Sequence, residues 1–221
     1  MATVTTETED VPYFLMRRPS ARGEPAWDIA TLFPAQGEWS EQDYFSLKTR
    51  HLVEFSEGHI EVLPMPKLSH QRMALWLLER LNEFVRPRQL GEVLFAPVPV
   101  RLWPRKYREP DLFFLSRARL AKSGDYPDGV DLAVEVVSDG PEARERDLET
   151  KRVEYATAGI PEYWIVDPEL QQITVLTLVG TEYRVHGVFG AGTTATSVLL
   201  EGFNVVVADV LAAGAGPAQA E

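Results

Sequence analysis

Apolar residues recur every three or four positions between residues 69 and 88, the spacing of one face of an α-helix. Polar and charged residues fill the intervening positions, and Pro87 and Gly91 mark the end of the segment. The pattern predicts a long amphipathic helix packed on a sheet. Its predicted apolar face consists of Met73, Leu77, Leu81, Phe84 and Val85.

Residues 51–55 and 59–63 alternate between apolar and polar side chains, as strands with one buried face do. The residues between them are Ser56, Glu57 and Gly58, which suit a tight turn. This segment therefore predicts a β-hairpin.

The clearest pattern in the chain runs from residue 131 to residue 167. Residues 131–137 and 162–167 are apolar on both faces apart from their acids, which is typical of strands covered on both sides. Pro141 supplies an early helical proline and Gly159 a stop, so a helix is predicted for residues 141–158. Strand, helix and strand together predict a right-handed crossover between two parallel strands.

Shorter strands complete the predicted sheet, and the fold class is α/β. Residues 92–102 predict a β-strand that is interrupted by Pro97 and Pro99. Prolines of this kind are expected at a sheet edge or a bend. Residues 111–115 form a short apolar strand, and residues 172–207 predict antiparallel strands followed by a short terminal turn.

These elements fit one domain over residues 39–211, because 221 residues are enough for one substantial core and few for two. Ser40 and Asp43 are a candidate helix cap and its reciprocal partner at the start of the domain. Residues 1–38 show no sustained period and predict an N-terminal arm. Residues 212–221 are rich in Ala, Gly and Pro and predict a flexible tail.

Composition narrows the available chemistry. The chain has no cysteine, which excludes disulfides and thiolate metal sites and favours hard cations bound by oxygen. Its formal net charge of -11 argues against a broad nonspecific nucleic-acid surface, since such surfaces depend on Lys and Arg. No apolar run is long enough to span a membrane and no secretion signal begins the sequence, so we expect a cytoplasmic protein without a membrane partner.

Two acidic residues stand out against this background. Glu135 lies in a valine-rich strand, where a buried carboxylate costs several kcal/mol unless a cation, a donor or a proton compensates it. Asp111 stands at the entrance of a neighbouring strand. Together they could bind Mg²⁺ through oxygen, with water and substrate phosphate completing the octahedron. The alternatives are a structural ion pair for Glu135 and a turn acceptor for Asp111.

Three further residues are candidates for the same site. Lys151 lies on the predicted helix one turn after Asp147 and one turn before Tyr155, so this face is expected to look toward the sheet. There it either orients water and neutralises a phosphoryl group or forms only a helix pair with Asp147. His70, at the start of the long helix, is a candidate acid, base or phosphate donor, and Glu54 in the hairpin is a candidate to complete the site. For His70 and Glu54, each taken alone, a structural or surface residue is the simpler interpretation.

A local basic cluster lies between the hairpin and Asp111. It could meet a nucleic-acid backbone, but a solvated loop is the simpler interpretation. The cluster consists of Arg101, Arg105, Lys106 and Arg108.

A wider series of residues resembles one known family, and each of its pieces alone is a weak signal. The matching positions are residues 109–111, 131–138 and 159–168 together with Asp147, Lys151, Tyr155, Glu54, Gly58 and His70. Over residues 40–178 the chain is similar to the Uma-two family of bacterial endonucleases. That family belongs to the restriction-endonuclease-like superfamily, which carries the PD-(D/E)XK motif.

The resemblance implies a central mixed sheet flanked by helices, with Asp111 and Glu135 as metal-binding acids at its splayed edge. It also implies Mg²⁺-dependent hydrolysis of phosphodiester bonds, with Mn²⁺ as a substitute and DNA as the expected partner. The superfamily lysine is expected two residues after the Glu, where this chain has Val137, and Lys151 is its natural replacement from the following helix. Nucleases of this fold that cut duplexes often pair, which leaves a homodimer open.

The first hypothesis is therefore a metal-dependent nuclease in which Lys151 positions the hydrolytic water and His70 or Glu54 assists. A noncatalytic binding or regulatory module with the same fold is the second hypothesis, which the acidic charge favours. A hydrolase of a small phosphate ester is the third, because such a substrate needs no large basic surface.

Overall fold

The computed structural model describes residues 33–49 and 51–216. Residues 1–32 of the predicted N-terminal arm and residues 217–221 of the predicted tail lie outside the described residues. In chain order, the elements are α1 (Glu41–Ser46), β1 (Val53–Ser56), β2 (His59–Val62), α2 (Leu68–Val85), β3 (Gly91–Phe95), β4 (Val100–Trp103), β5 (Lys106–Arg108), β6 (Leu112–Ser116), α3 (Arg117–Leu120), β7 (Leu132–Val136), α4 (Pro141–Glu145), a π-helical turn (Arg146–Thr150), α5 (Lys151–Thr157), β8 (Glu162–Asp167), β9 (Gln172–Val179), β10 (Glu182–Gly190), β11 (Thr194–Thr196), β12 (Asn204–Val206) and α6 (Val207–Ala215).

A six-stranded mixed sheet in the order β10-β9-β8-β7-β6-β3 forms the centre of the fold. β7 and β8 run parallel, and the other neighbouring strands are antiparallel. Helices flank this sheet and two smaller antiparallel sheets accompany it. The predicted α/β class with a central mixed sheet is confirmed, and so is the parallel pair joined through a helix.

The helix between β7 and β8 is interrupted. It was predicted as one helix over residues 141–158, but the π-helical turn Arg146–Thr150 separates α4 from α5. Such a turn inserts an extra residue into the helical register and often lies at a functional site. Gly159 ends α5 as predicted, with a φ of +75° that suits glycine.

The two faces of the central sheet pack against different helices. Leu132 and Val134 of β7 face α2, which buries its predicted apolar positions Met73 and Leu77 against them. Ala133 and Val137 point the other way and pack with residues of α5. Because side chains alternate along a strand, Glu135 lies on the α5 face.

A four-stranded sheet in the order β2-β1-β5-β4 lies beside the central sheet. The predicted hairpin is confirmed as β1 and β2, and the turn needs Gly58 because an added Cβ would lie 2.3 Å from the carbonyl oxygen of Gly37. Pro97 and Pro99 connect β3 and β4, which are edge strands of the two sheets, as predicted. The capping box predicted from Ser40 and Asp43 is also confirmed.

The C-terminal part differs from the prediction. Residues 207–215 form the nine-residue helix α6 instead of a short terminal turn, so residues 212–215 are helical rather than a loose tail. Gly214 allows the close approach of α6 to α2, since a Cβ at this position would lie 3.0 Å from Cγ of Met73. In the described part of the chain, no helix combines the length and apolarity needed to cross a membrane.

Candidate functional site

Asp111 and Glu135 come together through strand pairing. β6 and β7 are antiparallel with Leu112 opposite Val134, so Asp111 and Glu135 occupy the next pair of positions in register. Oδ2 of Asp111 accepts a hydrogen bond from the backbone N–H of Val136 at 2.8 Å. The two carboxylates therefore lie at the same end of two central strands.

Glu135 is buried, with 3% of its surface exposed. Its Oε1 accepts hydrogen bonds from Nζ of Lys151 at 2.8 Å and from the hydroxyl of Tyr155 at 2.6 Å. Burial raises the pKa of Glu135, and the charge of Lys151 offsets part of that rise. Lys151 and Tyr155 of α5 therefore provide the cation and the hydrogen-bond donor that this buried acid needs.

Lys151 is also buried, with its ammonium group surrounded by three carboxylates. Besides Glu135, Nζ lies 3.4 Å from Oδ1 of Asp147 and 3.6 Å from Oε1 of Glu54. Burial acts to lower the pKa of Lys151, but these carboxylates outweigh it and raise the pKa above its usual value. The predicted orientation of this helix face toward the sheet is confirmed, and Lys151 remains a cation.

His70 lies in the first turn of α2 and reaches the same site. Its Nε2 is 3.1 Å from Oδ2 of Asp111, and its Nδ1 has no hydrogen-bond partner among residues 33–49 and 51–216. Burial acts to lower the pKa of His70, but the bond to Asp111 outweighs it and raises the pKa overall. The interpretation of His70 as a surface residue is therefore wrong.

Glu54 lies on β1, and its buried carboxylate is close to the ammonium group of Lys151. It accepts a hydrogen bond from Nη1 of Arg108, and its Oε1 accepts one from the backbone N–H of Glu109 at 3.1 Å. Burial acts to raise the pKa of Glu54, but Lys151 and Arg108 outweigh it and lower the pKa to about 2.

The predicted basic cluster does not form a solvated loop. Lys106 and Arg108 are buried in β5, between β1 and β4, and both pair with Glu154 of α5. Arg101 and Arg105 are partly exposed, and each contacts a surface acid. The two buried cations therefore connect the hairpin to the helix that carries Lys151.

Glu109 was not among the predicted site residues, although it precedes Pro110 and Asp111. Glu109 is buried, and its Oε2 has no hydrogen-bond partner among the described residues. Burial and the charge of Glu54 raise the pKa of Glu109 to about 7. The position of this acid immediately before the Pro-Asp dipeptide was the only available signal.

These side chains surround a cavity of about 30 Å³, which exceeds the volume that one water needs. The cavity is lined by His70, Glu109, Asp111, Glu135, Arg146, Asp147 and Lys151, among others. We refer to it as the acidic cavity.

The residues present fit a hard cation held by two carboxylates. The contacts described above use Oδ2 of Asp111 and Oε1 of Glu135. Oδ1 of Asp111 and Oε2 of Glu135 take part in none of them and can therefore bind a cation. Within the described ranges, no three His, Asp or Glu side chains converge as a complete metal cage. Mg²⁺ does not need such a cage, because it is commonly bound by one or two carboxylates together with water and substrate phosphate.

Replacing Glu54 with Gln is expected to remove part of the pH dependence of stability. The pKa of Glu54 lies at about 2 against an ordinary value of 4.5, so its stabilising contribution is present above pH 4.5 and is lost as the pH falls toward 2. Each pKa unit corresponds to about 1.4 kcal/mol, which makes the variant less stable by about 3 kcal/mol near neutral pH. Urea unfolding of both proteins over acid and neutral pH measures this difference.

The exposed acid Glu79 offers a matched control, since Glu79→Gln changes the charge equally outside the site. A difference between wild type and Glu54→Gln that stays constant from neutral pH down to about pH 3 would contradict the assignment.

Comparisons with known proteins identify the fold and the family of this chain. A crystal structure described as "a putative nuclease belonging to DUF820 from Anabaena variabilis" matches with a TM-score of 0.66 and 16% identity, covering 80% of this chain and 99% of that one. A comparison with curated protein sequences gives no match. The model of the Uma2 family, described as "Putative restriction endonuclease", matches residues 41–210. The chain therefore belongs to the Uma2 family.

Proposed function

We propose that this chain is a Mg²⁺-dependent nuclease that hydrolyses phosphodiester bonds in nucleic acid, with DNA as the expected substrate. The observation that carries the proposal is the 2.8 Å contact between Lys151 and Glu135 beside Asp111 in the acidic cavity. A buried lysine among carboxylates at the end of two central strands is costly, and such arrangements cluster at functional sites. The printed descriptions of the family and of the structural neighbour support the same reaction class.

Asp111 and Glu135 are the residues that would hold the cation. When bound there, Mg²⁺ supplies Lewis-acid stabilisation of the negative charge that develops on the phosphoryl group. Mn²⁺ has similar oxygen-ligand preferences and is the expected substitute.

Lys151 orients the attacking water in this proposal. An ammonium group has three donors, and one of them is used by Glu135 at 2.8 Å, while the contacts to Asp147 and Glu54 are longer, at 3.4 and 3.6 Å. A donor therefore remains for a water or a phosphoryl oxygen. The positive charge also opposes the charge that develops during hydrolysis.

His70 and Glu54 assist through two different residues of the site, Asp111 and Lys151. His70 holds Oδ2 of Asp111 at 3.1 Å and, with its raised pKa, is suited to donate a proton or a hydrogen bond to a phosphate oxygen. Because its pKa is lowered, Glu54 stays ionised, and its Oε1, 3.6 Å from Nζ of Lys151, helps to hold the ammonium group in position. Glu54 therefore acts as a positioning residue.

The nuclease proposal predicts that Asp111→Asn lowers the cleavage rate by at least about 10-fold, because the amide keeps one oxygen ligand but loses the charge, and about 1.4 kcal/mol is a factor of ten. The measurement is single-turnover cleavage of plasmid and of single-stranded DNA with Mg²⁺, with Mn²⁺ and with a chelator. Asp128→Asn is the matched control, since Asp128 has 78% of its side-chain surface exposed. Cleavage that persists in chelator, or that falls equally in both variants, would overturn the proposal.

A noncatalytic module with the same fold is the second candidate. The observation that favours it is the net charge of -11, which disfavours contact with a long polyanion. This candidate predicts that no DNA is cut under any of the metal conditions above.

A further inference from the structure

An apolar groove of about 300 Å³ lies between α2 and the edge strand β3. Phe95 projects into it with 56% of its surface exposed, and Leu75 of α2 is 55% exposed. Large apolar side chains that remain this exposed in one concave place indicate a binding site rather than ordinary surface. The lining includes Leu68, Leu75, Leu78, Phe95, Ala96 and Leu112.

The groove adjoins the candidate active site. Asp111 lines both the groove and the acidic cavity, so a ligand in the groove would lie next to Asp111. Gln71 and Arg72 of α2 also line the groove and supply hydrogen-bond donors at an otherwise apolar surface. An apolar pocket with a few polar groups is the usual form of a site for a small flat ligand.

We propose that this groove binds an unpaired nucleobase of the substrate strand, next to the phosphodiester bond that the acidic cavity cleaves. The inference rests on the proposed function and adds that the substrate is single-stranded or locally unpaired. Phe95 supplies an aromatic face on which a base stacks, and Gln71 and Arg72 supply donors for its edge. The volume of the groove lies at the lower limit of known ligand pockets, which suits one base rather than a duplex segment.

The acidic charge of the chain limits how it can hold a nucleic-acid strand. The chain carries 22 Lys and Arg against 33 Asp and Glu. Two of the cations that sequence analysis placed near the site, Lys106 and Arg108, are buried in ion pairs. Phosphate contacts by Lys and Arg contribute to the binding of duplexes and single strands alike, but only an unpaired base adds stacking on an aromatic side chain. A stacked base is therefore the more effective way for this acidic chain to hold a strand.

The test uses fluorescence anisotropy with a labelled single strand of about 12 nucleotides, a length within the range of single-strand sites. A second strand of equal length and charge carries tetrahydrofuran residues in place of all bases. Both are titrated with wild type and with Phe95→Ala in chelator at low salt, so that binding is measured without cleavage. The control is Val188→Ala, because Val188 is equally exposed, at 56%, on β10 at the opposite edge of the sheet.

We expect Phe95→Ala to weaken binding of the normal strand roughly 10-fold and to leave binding of the abasic strand unchanged. Phe95→Tyr keeps the aromatic face and should retain wild-type affinity. Val188→Ala should bind both strands as wild type does. A duplex of the same sequence should bind wild type more weakly than the single strand.

Three results would overturn the proposal. They are the absence of saturable binding by wild type, equal affinity for the normal and abasic strands, and unchanged affinity in Phe95→Ala. If light scattering shows a wild-type dimer that becomes a monomer in Phe95→Ala while strand affinity stays the same, the groove is instead covered by a second copy. Base-dependent binding without metal-dependent cleavage would refute the proposed nuclease reaction while leaving the nucleobase site intact.

Discussion

Replacing Lys151 with Met is expected to lower the free energy of unfolding by about 3–5 kcal/mol, the typical effect of removing one partner from a buried ion pair. The ammonium group lies within 3.6 Å of Glu135, Glu54 and Asp147. Glu54 keeps Arg108 and Asp147 keeps Arg146, but Glu135 keeps only the hydroxyl of Tyr155 among these contacts. Urea unfolding followed by circular dichroism measures the change.

The pH dependence of this variant provides a second measurement. The pKa of Glu135 is already raised by burial, and the loss of Lys151 raises it further. The raised pKa of Glu135 reduces stability as the pH rises from the ordinary pKa of 4.5 to the folded value of about 8 in wild type, and to a higher value in the variant. The two proteins therefore diverge through this group only above about pH 8, so the deficit should be smaller at about pH 6 than at about pH 9. Lys122→Met removes an exposed lysine and should leave stability unchanged. A Lys151→Met protein as stable as wild type at about pH 8 would show that these carboxylates do not depend on the lysine.

Replacing Glu135 with Gln is expected to reduce metal-dependent cleavage about 100- to 1,000-fold, since a bound metal contributes several kcal/mol and about 1.4 kcal/mol is a factor of ten. Stability should change less than in Lys151→Met, because an amide oxygen can still accept the bonds from Tyr155 and Lys151. The quantity to measure is the single-turnover cleavage rate at the Mg²⁺ concentration that saturates wild type.

Glu162 provides the matched control, because it is a fully buried glutamate of β8 that lies outside the candidate site. It accepts hydrogen bonds from the side chains of Trp164 and Ser197 and from the backbone N–H groups of Val198 and Leu199. Glu162→Gln should lose stability and keep its cleavage rate. Equal cleavage rates in the Glu135→Gln and Glu162→Gln proteins would remove Glu135 from the reaction.

Elements with strong periodicity could be predicted from the sequence. Helix α2 has one apolar face, and strands β7 and β8 are apolar on both faces. These local patterns are visible in the sequence because the corresponding side chains are buried in the core. The π-helical turn has no such pattern, because it is an irregularity within a helix whose flanking signals are ordinary. Helix α6 contains Gly214 and is followed by Gly216, which are weak helix signals, and its packing against Met73 stabilises it instead.

The candidate site was predictable where acids interrupt apolar strands. Glu135 could be recognised because a valine-rich strand does not tolerate an uncompensated charge, and Lys151 because it falls on the buried helix face. The burial of Lys106 and Arg108 could not be predicted, since a run of charged residues normally indicates solvent. Their partner Glu154 lies far away in sequence, and only the tertiary fold brings it beside β5.

Calorimetric titration of Mg²⁺, and then of Mn²⁺, into the wild-type chain and Glu135→Gln tests the central claim most directly, with plasmid and single-stranded DNA cleavage assayed on the same samples. We predict saturable metal binding and metal-dependent cleavage in wild type, and the loss of both in Glu135→Gln. A wild-type chain that binds neither metal and cuts neither substrate would contradict the account. Asp111, Glu135 and Lys151 would then form a structural ion cluster.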